Sequence, residues 1–313
     1  MGKDTGGGHR QDATVLELLQ DHWGEDHHQV PSESPGEAAV LVYGRGFGDP
    51  TNGLVLYEGG HTHNKGDLED LVSAARQLAA QGKNLVLVAR RREPMEALAD
   101  KLRGSHGIEV EILASDMTDP DTPAWLRAET QARGLQVDYL VNNAGSEGPD
   151  LIKTRSWPRN DAYIRLMMTS VAAMCHEFIP GMVERGYGRV LNVASVAGRM
   201  TVGGDYSYGP TKAYLIALSK GLASAYKGQG VHVLALCPGF THTEFHVSER
   251  LTAMKQATPG FAWYDADVVV REGLAALEKG KDEYTSGRLY RFLVPVLRQR
   301  WMRGLLGMLG VKL

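Results

Sequence analysis

Short apolar segments alternate with amphipathic segments along most of the chain, and this alternation limits the fold more than any other feature. The apolar segments are predicted to be strands: Ala38–Tyr43, Asn84–Ala89, Ile108–Leu113, Val137–Val141, Arg189–Ala194 and Val231–Leu236. The amphipathic segments are predicted to be helices: Leu68–Gln81, Glu93–Leu102, Pro123–Ala132, Asp161–Arg185 and Tyr208–Tyr226. Strands that are apolar along their whole length are typical of a parallel sheet with helices on both faces. The sequence therefore predicts an α/β fold in which a single domain contains a doubly wound, Rossmann-type parallel sheet.

The residues on either side of this pattern differ from it in composition. Residues 1–36 are predicted to form a flexible N-terminal tail. Residues 37–287 make up the predicted domain, in which residues 49–65 are an insertion. Residues 288–313 contain arginine and lysine but no acidic residue, which predicts a basic, amphipathic helical extension interrupted near Pro295. We expect this extension to pack on its own domain or on a second subunit in preference to the alternative, peripheral contact with an anionic membrane.

Composition argues against several classes of function. The net charge of −3 and the pI of about 6.4 give no basic field for nucleic acid. Cys175 and Cys237 are too few for a disulfide framework or a cysteine-rich metal site, and they fit a reducing compartment. No signal sequence is recognisable, and no uninterrupted apolar run reaches the roughly 18 residues of a membrane span. We therefore expect a cytoplasmic protein with no metal site and no nucleic-acid partner.

Tyr208 and Lys212 carry the clearest chemical signal. They lie four residues apart on a predicted helix, so one face of that helix presents both side chains. An ammonium beside a phenol favours the phenolate and lowers the pKa of the tyrosine toward neutrality. Ser195 follows the predicted strand Arg189–Ala194, and a facing helix would bring its hydroxyl to the same substrate oxygen. Such groups can perform the proton transfer of a carbonyl–alcohol redox reaction, while a bound carrier has to supply the hydride.

Four polar residues and one proline follow or end several of the predicted strands. They are Arg90, Asp116, Asn142, Ser195 and Pro238. The carboxyl ends of parallel strands form one edge of the sheet, and ligands bind there in doubly wound folds. We therefore expect these residues to surround one site.

Four ordered motifs at this edge resemble those of the short-chain dehydrogenase/reductase family, and the resemblance extends from about Gly82 to about Gly280. The motifs are Asn142-Asn143-Ala144-Gly145, Ser195, Tyr208 with Lys212, and Pro238-Gly239 with Thr243. Any one of them is weak, but the set in this order is specific. The resemblance implies that Tyr208 is the general acid/base, that Lys212 lowers its pKa and holds the nicotinamide ribose, and that Ser195 polarises the carbonyl.

The resemblance also implies a nucleotide-binding set. The loop that ends at Gly145 would pass behind the cofactor, Thr243 would hold the nicotinamide carboxamide, and Asp116 would contact the adenine. An ordinary turn residue is the less favoured alternative for Asp116. The implied residues are Asp116, Met117, Asn143, Ala144, Gly145, Tyr208, Lys212, Pro238, Gly239 and Thr243.

Arg90 and Arg91, at the end of the second predicted strand, bear on the choice of dinucleotide. An acidic residue there would accept a hydrogen bond from the ribose 2′-hydroxyl and repel a 2′-phosphate. A guanidinium does the reverse, since its forked donors suit a phosphate. We therefore predict NADP(H), with NAD(H) less favoured. The alternative is that these arginines are a solvated start to the following helix.

The glycine-rich phosphate loop departs from the family pattern. The stretch Asn64–Leu71, where counting places that loop, has one glycine and three acidic residues that would repel a pyrophosphate. An alternative follows the first predicted strand, where alternating glycines and an arginine could cradle a phosphate. A glycine-rich turn without a ligand is the other interpretation. The residues concerned are Gly44, Arg45, Gly46 and Gly48.

Met167 is the second departure. It lies thirteen residues before Pro180, where the family usually has an asparagine that helps to hold a water molecule in the proton relay. A thioether cannot replace the donors and acceptor of an amide. Thr169 or a backbone carbonyl would then have to hold the water; otherwise proton supply to Tyr208 is slowed or the chain is not a working reductase.

Three functional hypotheses follow. The first is an NADP(H)-dependent oxidoreductase that interconverts a ketone and a secondary alcohol, acting as a homodimer or homotetramer. The apolar side chains of Glu244–Trp263 favour an apolar or bulky substrate, with ordinary core packing as an equal alternative. The second is a catalytically inactive relative that serves as a nucleotide-binding or scaffold protein. The third is a non-redox reaction, such as an elimination with retained nucleotide.

Overall fold

Seven parallel strands form one sheet among the residues that the computed structural model describes, which are 38–42, 69–145, 149–200, 205–241 and 260–297. The strands are β1 Ala38–Val42, β2 Asn84–Ala89, β3 Val110–Ala114, β4 Val137–Asn142, β5 Gly188–Val193, β6 Val231–Cys237 and β7 Glu283–Thr285. Their order across the sheet is β3-β2-β1-β4-β5-β6-β7. The predicted doubly wound, Rossmann-type α/β fold is therefore confirmed.

The helices connect these strands and cover both faces of the sheet. They are α1 Glu69–Ala79, α2 Arg92–His106, α3 Thr122–Ala132, α4 Trp157–Ile164, α5 Ser170–Glu184, α6 Tyr208–Ala225, α7 Ala266–Glu278 and α8 Arg288–Leu297. Helix α7 and strand β7 were not among the predicted elements. Strand β7 is three residues long and pairs only at the edge, with β6, so it leaves little periodic signal in the sequence. Pro295 lies inside α8, so the predicted interruption near this proline is wrong.

Alternate side chains along the strands enter two separate cores. On β2, Leu85 and Leu87 pack with α1, α2 and α7, whereas Val86 and Val88 pack on the opposite face with α3 and α5. All four are almost fully buried. This two-sided burial is the structural reason that the strands are apolar at every position rather than at every second one.

The strand order reverses between β1 and β4, and this reversal places the candidate site. Chain connections leave these two neighbouring strands in opposite directions, which opens a crevice at their carboxyl ends. Val42 of β1 lies beside Asn142 of β4, and Asn142 lies beside Asn192 of β5. The Asn142–Gly145 motif therefore begins at the reversal point.

The helical stretch Trp157–Glu184 contains a π-helical turn, Arg165–Thr169, between α4 and α5. The sequence predicted one regular helix over Asp161–Arg185. By length and apolar composition alone, Trp157–Glu184 could cross a membrane, but half of its apolar window is buried inside the fold. A core helix that packs on β4, β5 and β6 has these same properties, so the observation does not indicate a span.

Several predictions lie outside the described residues. They are the tail 1–36, the insertion 49–65, Gly44, Arg45, Gly46, Gly48, Thr243, residues 244–259 of the apolar segment, and residues 298–313 of the C-terminal extension. The described residues all belong to the unit Ser34–Leu313, and the unit Met1–Glu33 lies outside them. The domain boundaries remain predictions.

Candidate active site

Ser195 lies directly beyond β5, in extended backbone with φ −169° and ψ 157°. Its Oγ accepts a hydrogen bond of 3.2 Å from the amide of Ala197, which lies in a short 3₁₀ turn over Val196–Arg199. The amide of Val196 donates to Pro238 O at 2.9 Å. The turn after β5 is thereby joined to the turn after β6, and Ser195 is fixed between them.

Helix α6 begins at Tyr208 and packs closely against the Ser195 turn. A Cβ on Gly198 would lie 2.6 Å from Lys212 C and 2.6 Å from Ala213 N, distances at which backbone atoms clash. The absence of a side chain on Gly198 therefore allows the helix to approach Ser195. Asp205 holds the start of the helix, because its carboxylate accepts a 2.8 Å hydrogen bond from the amide of Gly209.

Lys212 is buried at 4% exposure, and its Nζ donates a 2.8 Å hydrogen bond to Val193 O. Nζ also lies 5.7 Å from the centroid of the Tyr208 ring. Burial lowers the pKa of this lysine to about 8, because a desolvated ammonium is less stable than a hydrated one. Lys212 and the Tyr208 ring therefore lie near the end of β5, which Ser195 follows, and the catalytic roles of the three residues remain predictions.

The loop after β4 approaches the same lysine. A Cβ on Gly145 would lie 3.5 Å from Lys212 Nζ and 3.6 Å from Met167 Sδ. Ala144 is buried, while Asn143 is half-buried and lines the neighbouring cleft. The predicted loop Asn143–Gly145 is thus packed against the base of the site.

Asn142 anchors that loop through a buried polar network. Its Nδ2 donates to Asn192 Oδ1 at 2.8 Å, and Asn192 Nδ2 donates to Ser219 Oγ at 2.9 Å. All three side chains are at most 3% exposed. The network ties β4, β5 and α6 together, since buried polar groups that are paired lock the elements carrying them.

Met167 has no exposed surface and lies within the π-helical turn. Its sulfur and the Lys212 ammonium both contact the point where a Gly145 side chain would begin. The sequence already showed a methionine where the family usually has an asparagine. In the structure, the thioether of this methionine lies at the inner end of the site, beside Gly145. Single π-helical turns occur often at functional sites.

The adenine end of the predicted site is formed by the ends of β2 and β3. Arg90 Nη1 lies 4.0 Å from Asp116 Oδ2, and both side chains are exposed at this edge. Arg91 is exposed and precedes α2. Met117 is 1% exposed and belongs to the core, so its side chain has no surface to offer a nucleotide and its backbone alone could contact one.

Pro238 and Gly239 form a wall that the C-terminal helix supports. A Cβ on Gly239 would overlap the ring of Tyr290 from α8. Tyr290 donates from its hydroxyl to Ala262 O at 2.8 Å, and the neighbouring Phe240 stacks on Trp263 with centroids 5.1 Å apart. The turn after β6 is therefore packed under an aromatic cluster.

A small cavity of about 20 Å³ opens beside this wall, near the carboxyl ends of β4, β5 and β6. Asn143 and Pro238 line it together with apolar side chains of α1 and α7, among them Ala74 and Val270. Two of the predicted nucleotide-binding residues thus face one cavity at the place where doubly wound folds bind ligands.

Sequence reasoning missed three residues that shape the site: Gly198, Asp205 and Tyr290. Gly198 left a signal, since a glycine three residues after Ser195 is compatible with close packing. Asp205 could also have been recognised, since an acidic residue just before a helix is a typical capping residue. The contact between Tyr290 and Gly239 joins residues far apart in the chain, and no local pattern indicates it.

Comparisons with known proteins identify the family of the chain. The family model of the short chain dehydrogenases matches residues 72–253. A very-long-chain 3-oxoacyl-CoA reductase from Anas platyrhynchos is 29% identical over 224 residues, which are 69% of this chain and 67% of that protein.

Two solved structures extend the comparison. A 7β-hydroxysteroid dehydrogenase has a TM-score of 0.68 at 19% identity, covering 85% of this chain and 93% of that one, which shows the shared fold. A short-chain dehydrogenase from Sphingobium yanoikuyae in complex with NADPH has a TM-score of 0.61 at 26% identity, covering 78% of this chain and 90% of that one. Because the family model matches more than half of the 313 residues and the fold agrees, this chain belongs to the short-chain dehydrogenase family, a family of oxidoreductases.

Proposed function

We propose that the protein is an NADP(H)-dependent oxidoreductase that interconverts a ketone and a secondary alcohol. The observation that carries the proposal is the buried ammonium of Lys212, which lies beside the Tyr208 ring and is held by Val193 O. Among the described residues, no carboxylate lies within 4.0 Å of this ammonium. A buried cation without a carboxylate partner costs folding free energy, so its position beside a phenol fits a chemical role better than a stabilising one.

The residues at the carboxyl edge fit a nicotinamide dinucleotide. The side chains that line the small cavity beside Asn143 and Pro238 are mostly apolar, and an apolar wall of this kind can pack against the face of a nicotinamide ring. An ammonium carries three donors, so Lys212 can bond a ribose hydroxyl in addition to Val193 O. Gly145 brings backbone close to the same point.

When bound, the nicotinamide gives or takes the hydride. Tyr208 donates its phenolic proton to the carbonyl oxygen during reduction and recovers a proton from the alcohol during oxidation. Ser195 Oγ already accepts from Ala197 N, so its own O–H remains for the same substrate oxygen. Lys212 stabilises the phenolate that Tyr208 becomes after proton transfer.

The preference for NADP(H) rests on Arg90 and Arg91. Arg90 is exposed at the end of β2, 4.0 Å from Asp116, where the adenine ribose of a dinucleotide in the cleft would lie. Its guanidinium can turn to a 2′-phosphate. The structure from Sphingobium yanoikuyae, which contains NADPH, is a family member with this cofactor.

The test is a titration of NADPH and NADH followed by a deuterium-transfer experiment. We expect NADPH to bind in the micromolar range, seen as a change in the fluorescence of its reduced nicotinamide. With NADPH deuterated at the nicotinamide C4, we expect deuterium on the carbinol carbon of the product alcohol. Failure of both nucleotides to bind below millimolar concentration would overturn the proposal.

A second candidate function is a nucleotide-binding protein without turnover. The observation that favours it is the fully buried Met167, whose thioether lies beside Gly145 and occupies the sequence position at which the family usually has the asparagine of its proton relay. Binding of NADPH without deuterium transfer to any of a broad panel of ketones would support this candidate. A homodimer or homotetramer and a cytoplasmic location remain predictions.

A further inference from the structure

Glu283 is a mostly buried carboxylate on the edge strand of the sheet, and two cations hold it. Its Oε1 lies 2.9 Å from Arg199 Nε, and its Oε2 lies 3.3 Å from Lys220 Nζ. The side chains of Glu283 and Arg199 are only 15% and 20% exposed. An ion pair with so little exposure loses most of its hydration when the protein folds, so it is weak evidence of added stability. The elements that it joins indicate another role.

The two cations belong to the elements that carry the proposed catalytic residues. Arg199 is the last residue of the 3₁₀ turn that begins directly after Ser195. Lys220 lies on α6, eight residues beyond Lys212, which corresponds to about 12 Å along a helix. Glu283 begins β7, which pairs with β6. One carboxylate on β7 therefore joins the Ser195 turn to the helix that carries Lys212.

Arg199 has a second partner on the same strand. Its Nη1 donates a 2.6 Å hydrogen bond to Thr285 Oγ1, and Thr285 is 5% exposed. The guanidinium thus contacts Glu283 and Thr285 at once. A planar group that is held at two points has a defined direction, so the end of the turn is fixed relative to β7.

The turn over Val196–Arg199 is only four residues long, and its backbone alone restrains it weakly. The amide of Gly198 donates to Ser195 O at 3.1 Å, and the amide of Met200 donates to Ala197 O at 3.3 Å. Hydrogen bonds of this type have poorer geometry than those of an α-helix. Ser195 Oγ accepts from Ala197 N within the same turn, so a shift of the turn also shifts the hydroxyl.

Cys237 packs between Glu283 and the backbone of Ser195. The thiol has no exposed surface, and it donates to Glu283 Oε1 at 3.9 Å. Burial raises the pKa of this thiol to about 12, and the amide of Ser195 beside the sulfur opposes the rise. The thiol is therefore neutral at physiological pH, and it links the carboxylate to Ser195 without adding a charge.

We propose that Glu283 is a positioning residue for Ser195: through Arg199 it fixes the turn that directs the Ser195 hydroxyl toward the substrate oxygen. The inference rests on the proposed function, in which that hydroxyl polarises the carbonyl. Glu283 contacts neither the substrate nor the nucleotide. Its removal should therefore slow hydride transfer and leave the binding of NADPH unchanged.

The first experiment measures single-turnover oxidation of bound NADPH by a ketone in Glu283→Gln, which removes the charge and keeps the shape of the side chain. We expect the rate of hydride transfer to fall ~10- to 100-fold, since a misplacement of about 1 Å can cost that much. The affinity for NADPH should not change.

Glu278→Gln is the matched control for this variant. Glu278 Oε2 lies 2.9 Å from Arg189 Nε, near the amino end of β5 and thus at the other end of the strand from Ser195. Breaking this pair should also destabilise the protein in urea, but it should leave the rate of hydride transfer unchanged. Equal slowing by the two substitutions would show a general loss of stability and would overturn the proposal.

A double-mutant cycle shows whether Glu283 acts through Ser195. In a Ser195→Ala background the hydroxyl is absent, so Glu283→Gln should slow the remaining hydride transfer by no more than ~2-fold, the error of additivity. The full loss in both backgrounds would refute the proposal, because independent sites have additive effects. If Glu283→Gln does not fold, Thr285→Val takes its place in the cycle, since it removes only the hydrogen bond from Arg199, with an expected loss of ~2- to 10-fold.

Hydrogen exchange separates this anchoring from the proposed reaction. In the nucleotide-free protein, Glu283→Gln should accelerate amide exchange in the turn, at Gly198 and Met200, at least ~10-fold, as expected when a charge-assisted contact is lost and local opening becomes easier. Glu278→Gln should leave these two amides unchanged. Faster exchange in a protein that turns over no ketone would uphold the anchoring and refute the proposed function. Unchanged exchange in an active enzyme would uphold the proposed function and refute the anchoring.

Discussion

Replacing Lys212 with methionine tests whether this lysine is as desolvated as the structure shows. The ammonium has a pKa of about 8, against 10.5 for an ordinary lysine. At 1.36 kcal/mol per pH unit this difference costs the nucleotide-free protein about 3 kcal/mol at pH 7. Methionine removes that cost and also the hydrogen bond to Val193 O, a loss of about 1 kcal/mol. We expect Lys212→Met to be more stable than the wild type by about 2 kcal/mol at pH 7.

The pH dependence gives the sharper result. Between pH 8 and 10.5 the unfolded chain retains the lysine proton that the folded protein has lost, so the stability of the wild type rises with pH. Lys212→Met lacks this group. From the two pKa values, the stability difference should shrink by about 2 kcal/mol between pH 7 and pH 9.5.

The assay is urea unfolding of nucleotide-free protein at fixed concentration and at several pH values. Lys227→Met, which removes a lysine just beyond α6, is the control and should differ little from the wild type at any pH. A stability difference for Lys212→Met that stays constant within about 0.5 kcal/mol from pH 7 to 9.5, the additivity error of such comparisons, would refute the desolvation of Lys212.

Three further substitutions test other parts of the site. Arg90→Glu should weaken the binding of NADPH more than the binding of NADH in fluorescence titrations. Arg92, whose guanidinium pairs with Glu96 of its own helix, supplies the control, and Arg92→Glu should affect both nucleotides equally. Equal effects of Arg90→Glu on the two nucleotides would remove the case for phosphate recognition. Gly198→Ala puts a Cβ 2.6 Å from the backbone of α6. It should lower the free energy of unfolding in urea by about 1–3 kcal/mol and abolish most of the turnover. Gly221→Ala, which has open space around it, is the control and should stabilise the protein by about 1 kcal/mol. Met167→Asn should raise turnover while leaving NADPH affinity unchanged, and a turnover that stays the same in stopped-flow measurements would show that proton supply through this position is not limiting.

The sequence predicted those parts of the molecule that local patterns encode. Strand β2 was predicted with its observed bounds, because a short apolar run between two amphipathic segments is typical of a strand buried on both faces. Ser195, Tyr208 and Lys212 were found together because a strand end and one helix face suffice to place them.

Other features depend on contacts between residues distant in the chain, and no local pattern encodes them. The hydrogen bond between Tyr206 and Asp150 crosses 56 residues, and Tyr290 packs on Gly239 from a helix much later in the chain. The π-helical turn at Met167 is only five residues long, too short for its periodicity to be distinguished from that of the α-helices on either side. The glycine loop at Gly44–Gly48 and Thr243 lie outside the described residues, so their roles remain predictions.

The central claim is that Tyr208, assisted by Lys212, transfers the proton that accompanies hydride transfer. The most direct test is single-turnover oxidation of enzyme-bound NADPH by a ketone, compared between the wild type and Tyr208→Phe. We expect Tyr208→Phe to bind NADPH with nearly unchanged affinity and to lose at least ~100-fold in the rate of hydride transfer, the usual contribution of a general acid. A rate of hydride transfer within about threefold of the wild type would contradict the claim, because a general acid contributes far more than threefold to the rate. A loss of rate that is matched by an equal loss of NADPH affinity would also contradict it, because a general acid contributes little to nucleotide binding.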